Sequence, residues 1–238
     1  EALDLTEIHG ADSLYEAAGI IAESEANAAA LFGSARTFFS TEGSSQCIRA
    51  MLALALWNAG TPPGKSPLVA AGRNVHKAFL YAAALLDFDV LWLWPEEPSP
   101  SLCACGVTPE GLERALAGAR PAAVYVTSPD YLGGQCDIAA LAETAHRRGV
   151  PLLVDNAHGA YLHFLPAPAH PMDLGADLCC DSAHKTLPVL TGGAYLHVGA
   201  GAPAAFRQEG RRALALFGST SPSYLILQSL DLCSRYLA

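Results

Sequence analysis

Two residues thirty positions apart carry the most chemical weight in this sequence. Asp155 follows the short apolar run Pro151-Leu152-Leu153-Val154 and opens Asp155-Asn156-Ala157-His158-Gly159-Ala160. Lys185 lies in Asp181-Ser182-Ala183-His184-Lys185-Thr186-Leu187-Pro188. An acid leaving a buried strand can bind a metal, cap a helix or pair with a ligand cation. A lysine between strand-like segments is uncommon unless its ammonium is paired or neutralised. Burial or nearby cations lower a lysine pKa and turn the amine into a Schiff-base nucleophile. Pyridoxal phosphate needs both groups: a lysine for its aldehyde, and a carboxylate on the ring nitrogen that keeps the ring protonated and electron-withdrawing. Taken singly, the two read more readily as a surface lysine and a helix-capping acid. Taken together on strand ends, they favour the cofactor.

A phosphate needs several donors. Gly43-Ser44-Ser45-Gln46 precedes a helical run and offers backbone N–H groups, two hydroxyls and a helix N-terminus. By itself this is equally a capped helix start. Ser182 and His184, beside the lysine, add further donors. His76, in Arg73-Asn74-Val75-His76-Lys77, stands before another helix and could stack on a flat aromatic ring, although a lone loop histidine is more often solvated.

The elements that must position these residues alternate. Ala122 to Thr127 is a strand closed by Ser128-Pro129. Ile138 to Arg148 has apolar residues at 138, 141, 142 and 145, the spacing of a helix, and stops at Gly149. Pro151 to Val154 shows no polar alternation, as expected of a strand covered on both faces. Asp177 to Asp181 and Ala194 to Val198 read as two more strands, and Ser44 to Ala59 as a helix. This rhythm predicts an α/β fold, a mostly parallel sheet with helices on both faces. Ligand sites in such sheets form at the carboxyl ends of strands. Thr127-Ser128, Asp155-Asn156 and Ser182 to Lys185 each directly follow a strand, so all three should project from one edge. Pro95 to Pro100 and Ala200 to Ala205 read as ordinary loops, and no internal repeat is present.

The bulk properties narrow the classes. With 238 residues, 51% hydrophobic and 16% charged, the chain is globular and can bury a substantial core. No apolar run reaches the roughly 20 residues needed to cross a bilayer. Glu1-Ala2-Leu3-Asp4 has neither a basic region nor an apolar stretch, so no secretory signal is expected there, and the missing initiator Met reads as a start inside a longer protein. Seven cysteines, an odd number, make a poor disulfide framework and point to a reducing compartment, the cytoplasm. Neither Cys103/Cys105 nor Cys179/Cys180 has zinc-site spacing, so core packing or neutral surface is expected rather than metal. A net charge of −9 speaks against nucleic acid and anionic membrane as partners and is permissive for a cationic small molecule.

Five segments, in this order, resemble the ornithine/lysine/arginine decarboxylases: Arg73 to Lys77, Val126 to Pro129, Val154 to Ala160, Ser182 to Pro188, and Ser219-Thr220-Ser221-Pro222-Ser223-Tyr224. Asp4 to Glu7 and Phe38 to Ser45 look like that family's entry to its cofactor domain, so the resemblance spans essentially the whole chain. It implies the aspartate-aminotransferase-like large domain of the pyridoxal-phosphate enzymes over residues 1–238, without the family's smaller C-terminal domain. It further implies that Lys185 carries pyridoxal 5′-phosphate, that Asp155 pairs with the ring nitrogen, that His76 stacks on the ring and that His158 lies close by. Ser44, Ser45, Ser182 and His184 would hold the phosphate, with Gln46 counted in the same loop. Thr220, and with it Ser219 or Ser221, would lie at a subunit contact and reach a neighbour's phosphate, which implies a homodimer or higher homo-oligomer. The implied reaction is decarboxylation of arginine, lysine or ornithine to a polyamine precursor, with His76 or Lys185 returning a proton to the alpha carbon. Two positions depart from the pattern: Asn156 stands where an acid is common, and Cys47-Ile48 where a Gly/Ser-Asn pair is common. The first could alter polarity around Asp155, and the second should cost a helix-start hydrogen bond. The same scaffold also serves transamination and aldol cleavage, and a catalytically silent regulatory homologue would share its fold.

Overall fold

A computed structural model of the chain describes residues 4–61, 64–95 and 101–238. The strands are β1 (Arg36–Ser40), β2 (Leu68–Gly72), β3 (Asp89–Leu93), β4 (Ala123–Thr127), β5 (Leu152–Asp155), β6 (Leu178–Asp181) and β7 (Ala194–Val198). They form one seven-stranded sheet in the order β1-β7-β6-β5-β4-β2-β3. From β3 through β2, β4 and β5 to β6 every pairing is parallel. β7 runs antiparallel to both of its neighbours, so β1 again points the same way as the parallel block. The sheet is therefore mostly parallel, as the alternating pattern predicts. The four strands read from sequence lie within a residue of their expected bounds, and β1, β2 and β3 join them.

The faces explain the patterning. On one side lie α2 (Gly43–Asn58), α3 (Lys77–Leu86) and α7 (Ala204–Ala215), with a core that includes Ile48, Met51, Phe79, Tyr125, Leu153 and Phe206. On the other lie α4 (Pro109–Leu116) and α5 (Ile138–Arg147), packing Val124, Val126, Leu141, Leu152 and Val154. On that same side, α1 (Ile20–Leu31) and α8 (Tyr224–Leu237) cover the β1–β7 end around Phe32, Phe39 and Tyr195. Covered twice, β4 and β5 can be apolar at every position, and each fully buried Leu or Val contributes about 1.5–3 kcal/mol. Asp137 caps α5 by accepting from the Ala140 N–H at 3.1 Å, and Gly149, at φ +67°, supplies the left-handed backbone that ends it. Cys47 and Ile48 are fully buried in α2, so the departure there feeds the core.

The short stretch Ala200 to Ala205 is a loop only as far as Pro203, because α7 begins at Ala204. Residues 96–100 of the other expected loop, and Glu1 to Leu3 of the N-terminus, lie outside the described residues. All seven cysteines are free, and Cys179 and Cys180 are packed inside the sheet. Among the described residues no helix is long and apolar enough to cross a membrane.

Candidate active site

The parallel strands all deliver their carboxyl ends to one edge. There Thr127 of β4 is level with Asp155 of β5, and Asp155 with Cys180 of β6. Asp155 is the last residue of β5 and only 2% exposed. One carboxylate oxygen, Oδ2, accepts from the Tyr125 hydroxyl at 3.1 Å. The other accepts from the Ala157 N–H at 3.2 Å and from the Cys180 thiol at 3.7 Å. Burial, followed by the Asp155 charge, pushes the Tyr125 phenol and the Cys180 thiol well above their usual range, so both stay protonated as donors. Tyr125 was not singled out by sequence. Its signal is a tyrosine inside an otherwise apolar strand, whose hydroxyl needs a partner once buried.

Lys185 lies on the single-turn helix α6 (Ala183–Thr186) that follows β6. Ala183 is buried, but the turn lifts Lys185 into an exposed position. Its Nζ is 2.9 Å from His158 Nε2. An ammonium can only donate, so the imidazole accepts there. The His158 ring also meets the edge of the exposed Tyr131, with centroids 5.5 Å apart. His76 is the N-cap of α3, its Nδ1 accepting from the Ala78 N–H at 3.2 Å. Burial lowers the His76 pKa; the Asp155 charge opposes the shift, while Lys185, Lys77 and His158 reinforce it. His76, Asp155, His158 and Lys185 thus share one electrostatic neighbourhood.

Beside them begins α2. Gly43, at φ +71°, donates its N–H to Gly192 O at 2.7 Å and turns the chain sharply into the helix. The first-turn N–H groups of Ser44 and Ser45 have no partner within a helix. The Ser182 hydroxyl donates to the Ser44 hydroxyl at 2.8 Å, with both residues buried. His184 Nδ1 is engaged with Gly193 O at 3.0 Å, which leaves Nε2 on the ring's far side. A Cβ at Gly43 would lie 4.0 Å from His184 Cε1, so this imidazole stands close to the helix start.

Gln46 directs its side-chain amide away from the start of α2. Its side chain is buried, accepting from the Ser40 hydroxyl and donating to Tyr15 and to Leu214 O, all at 2.5–2.9 Å, so its amide joins α2 to the N-terminal segment and α7. Thr220 is exposed in the turn before α8. The neighbouring Ser219 N–H donates to Glu42, the N-cap of α2, and Ser221 N–H to the Ser219 hydroxyl at 3.1 Å. Ser223, the N-cap of α8, makes no side-chain cap bond.

The donor set fits pyridoxal phosphate. A buried carboxylate lies in the neighbourhood of an exposed lysine, the level neighbour Thr127 has a buried hydroxyl without a partner, and a hydroxyl-lined helix N-terminus suits an anion. On the reverse face of the sheet His170, Cys179 and Asp181 draw three ligand-type side chains together, but each is already hydrogen-bonded within the protein.

Comparison with known proteins identifies the family and the fold. Residues 2–238 match the profile of the Orn/Lys/Arg decarboxylase family, major domain. The chain is 36% identical to a Bacillus subtilis (strain 168) protein named uncharacterized protein YaaO, over 99% of this chain and 48% of that one. It is also 36% identical to an arginine decarboxylase of Halalkalibacterium halodurans, over 99% and 47%. Among solved structures, lysine decarboxylase A from Pseudomonas aeruginosa superposes with a TM-score of 0.78 at 25% identity, covering 98% of this chain and 33% of that one. The chain spans about half the length of the curated relatives it matches.

Proposed function

Because the chain belongs to the ornithine/lysine/arginine decarboxylase family, matching its major domain, we propose that it holds pyridoxal 5′-phosphate on Lys185 and serves in the decarboxylation of arginine, lysine or ornithine. The observation that carries this reading is the pair of strand-end groups: buried Asp155, fixed by Tyr125, and exposed Lys185, 2.9 Å from His158. When bound, the cofactor supplies an electron sink for the pair left behind as carbon dioxide departs.

The chain's own residues do the rest. Asp155, held by three donors, is the partner for a ring-nitrogen proton. The Thr127 hydroxyl is a free donor level with it. The Ser44 and Ser45 N–H groups and the Ser44 and Ser182 hydroxyls form the phosphate cradle, from which Gln46 is omitted; His184, whose Nδ1 donates to Gly193 O, adds Nε2 as a donor only when its ring carries both protons. His76 is kept neutral by burial. With Nδ1 accepting from Ala78, its proton sits on Nε2, from which it can stack on a ring or pass a proton to an alpha carbon. His158 accepts from Lys185 and so orients its amine. The Ser219 to Ser223 turn, with Thr220 exposed on it, is the segment by which this chain would reach a second subunit's phosphate.

The test is chemical. The full-length protein incubated with pyridoxal phosphate and then borohydride should carry one covalent adduct, at Lys185, and Lys185→Ala should carry none. With arginine, lysine or ornithine it should release carbon dioxide rather than a keto acid. An adduct that persists in Lys185→Ala, for example at Lys77, refutes the assignment.

A further inference from the structure

On the face of the sheet opposite α2 lies a hydrogen-bonded line that the proposed chemistry does not use. Asp181, fully buried at the end of β6, accepts at Oδ2 from His170 Nε2 at 2.9 Å and His197 Nε2 at 3.2 Å. His170 Nδ1 accepts from the Met172 N–H at 3.2 Å, and His197 Nδ1 pairs with the Thr37 hydroxyl at 2.8 Å. Each imidazole therefore donates its Nε2–H to Asp181. The carboxylate is ionised, wholly buried and, among the described residues, without an arginine or lysine partner. Such a group carries a desolvation penalty of several kcal/mol before its hydrogen bonds offset it. An apolar residue would serve packing as well, so the charge needs another reason.

Its remaining oxygen supplies one. Asp181 Oδ1 accepts from Asn156 Nδ2 at 2.6 Å. Asn156 is also tied to β6 through its own N–H, which donates to Cys180 O at 3.0 Å, and its carbonyl accepts from the Gly159 N–H at 2.8 Å, closing the turn that carries His158. The amide oxygen of Asn156 is buried without a partner. It presses on Gly159, where a Cβ would come within 2.1 Å of it. Only the carboxylate of Asp181 thus dictates which way this amide faces. An acid at 156 would set two carboxylates against each other, which accounts for the departure at that position.

We propose that Asp181 is a positioning residue of the cofactor site: through the Asn156 amide it holds the Asn156–Gly159 turn so that His158 meets Lys185. The inference rests on Lys185 being the cofactor lysine. The link is a single amide–carboxylate contact, so it can be broken at either end and rebuilt by exchange. Asp181→Asn and Asn156→Asp should each slow the capture of pyridoxal phosphate by full-length protein, followed by visible absorbance, on the order of tenfold or more, the scale set by misplacing a reacting group. The double variant, Asn156→Asp with Asp181→Asn, restores a donor opposite a carboxylate and should recover most of the rate. Thr37→Val, at the far end of the same buried line, should lower thermal stability and leave capture unchanged.

Singles that capture at the wild-type rate overturn the proposal, as does a double variant no faster than its parents. If Asp181→Asn does not fold, Asn156→Asp decides alone: normal capture rejects the link. Capture that survives in Lys185→Ala would instead reject the assignment of the cofactor lysine, an outcome independent of these variants.

Discussion

Tyr125→Phe removes one oxygen atom and should expose how firmly Asp155 is held. The hydroxyl lies 3.1 Å from Asp155 Oδ2 with both groups buried, and burial keeps the phenol protonated. A hydrogen bond to a buried charged group contributes about 1.5–3 kcal/mol. Phenylalanine leaves the ring packing against Phe79, with centroids 4.8 Å apart, intact. The loss is therefore the bond and not a cavity, and apo protein should unfold about 2 kcal/mol more readily in urea. For a chain of this length that corresponds to roughly 4–8 °C in Tm. The bond is charge-assisted, so its cost should depend on the acceptor's charge. In an Asp155→Asn background the same tyrosine change should cost about 1 kcal/mol, the level of a neutral pair. The difference between the two backgrounds is the coupling energy of the pair. A Tyr125→Phe cost below about 0.5 kcal/mol, or one equal in both backgrounds, would refute the view that this hydroxyl stabilises an ionised Asp155.

Asp155→Asn itself should still take up pyridoxal phosphate but lose turnover by orders of magnitude, since an unprotonated ring is a poor electron sink; a near-normal rate would reject the role. Acid should destabilise the fold in two stages. Burial lowers the His197 pKa below 6.5, so from about that pH downward the unfolded chain takes a proton that the folded one resists, at a slope of at most about 1.4 kcal/mol per pH unit. Burial works to raise Asp181, but His170 and His197 outweigh it and hold the carboxyl below 3.8, so its contribution is present above that pH and lost as pH falls further. His197→Gln should flatten the first stage in urea titrations run at each pH, and an unchanged slope would contradict it. The full-length protein should sediment as a dimer whose cofactor affinity falls on dilution, and Thr220→Ala should weaken phosphate binding by about 1–3 kcal/mol. A monomer binding the cofactor at full stoichiometry would reject the shared site.

What the sequence determines here is local. The uninterrupted apolar run of β5 marks a strand covered on both faces, and the spacing 138, 141, 142, 145 marks α5, because side-chain periodicity is set by backbone geometry over a few residues. The order of chemically loaded segments after β4, β5 and β6 likewise places Thr127, Asp155 and Lys185 on one edge, since parallel strands deliver their carboxyl ends together. Tertiary structure alone decides where each side chain ends up. Gln46 and Ser45 are adjacent in sequence, yet the helix turns the Gln46 amide into the contact between α2, the N-terminal segment and α7. Lys185 escapes burial because α6 is a single turn at the sheet's edge. The reversal of β7 brings His197 level with Cys179 and so within reach of Asp181, sixteen residues earlier in the chain. Tyr125 meets Asp155 across thirty residues only because β4 and β5 are neighbours in parallel register. Such contacts depend on strand order and register, which arise from burying both faces of the whole sheet at once and leave no periodic trace in the segments that make them.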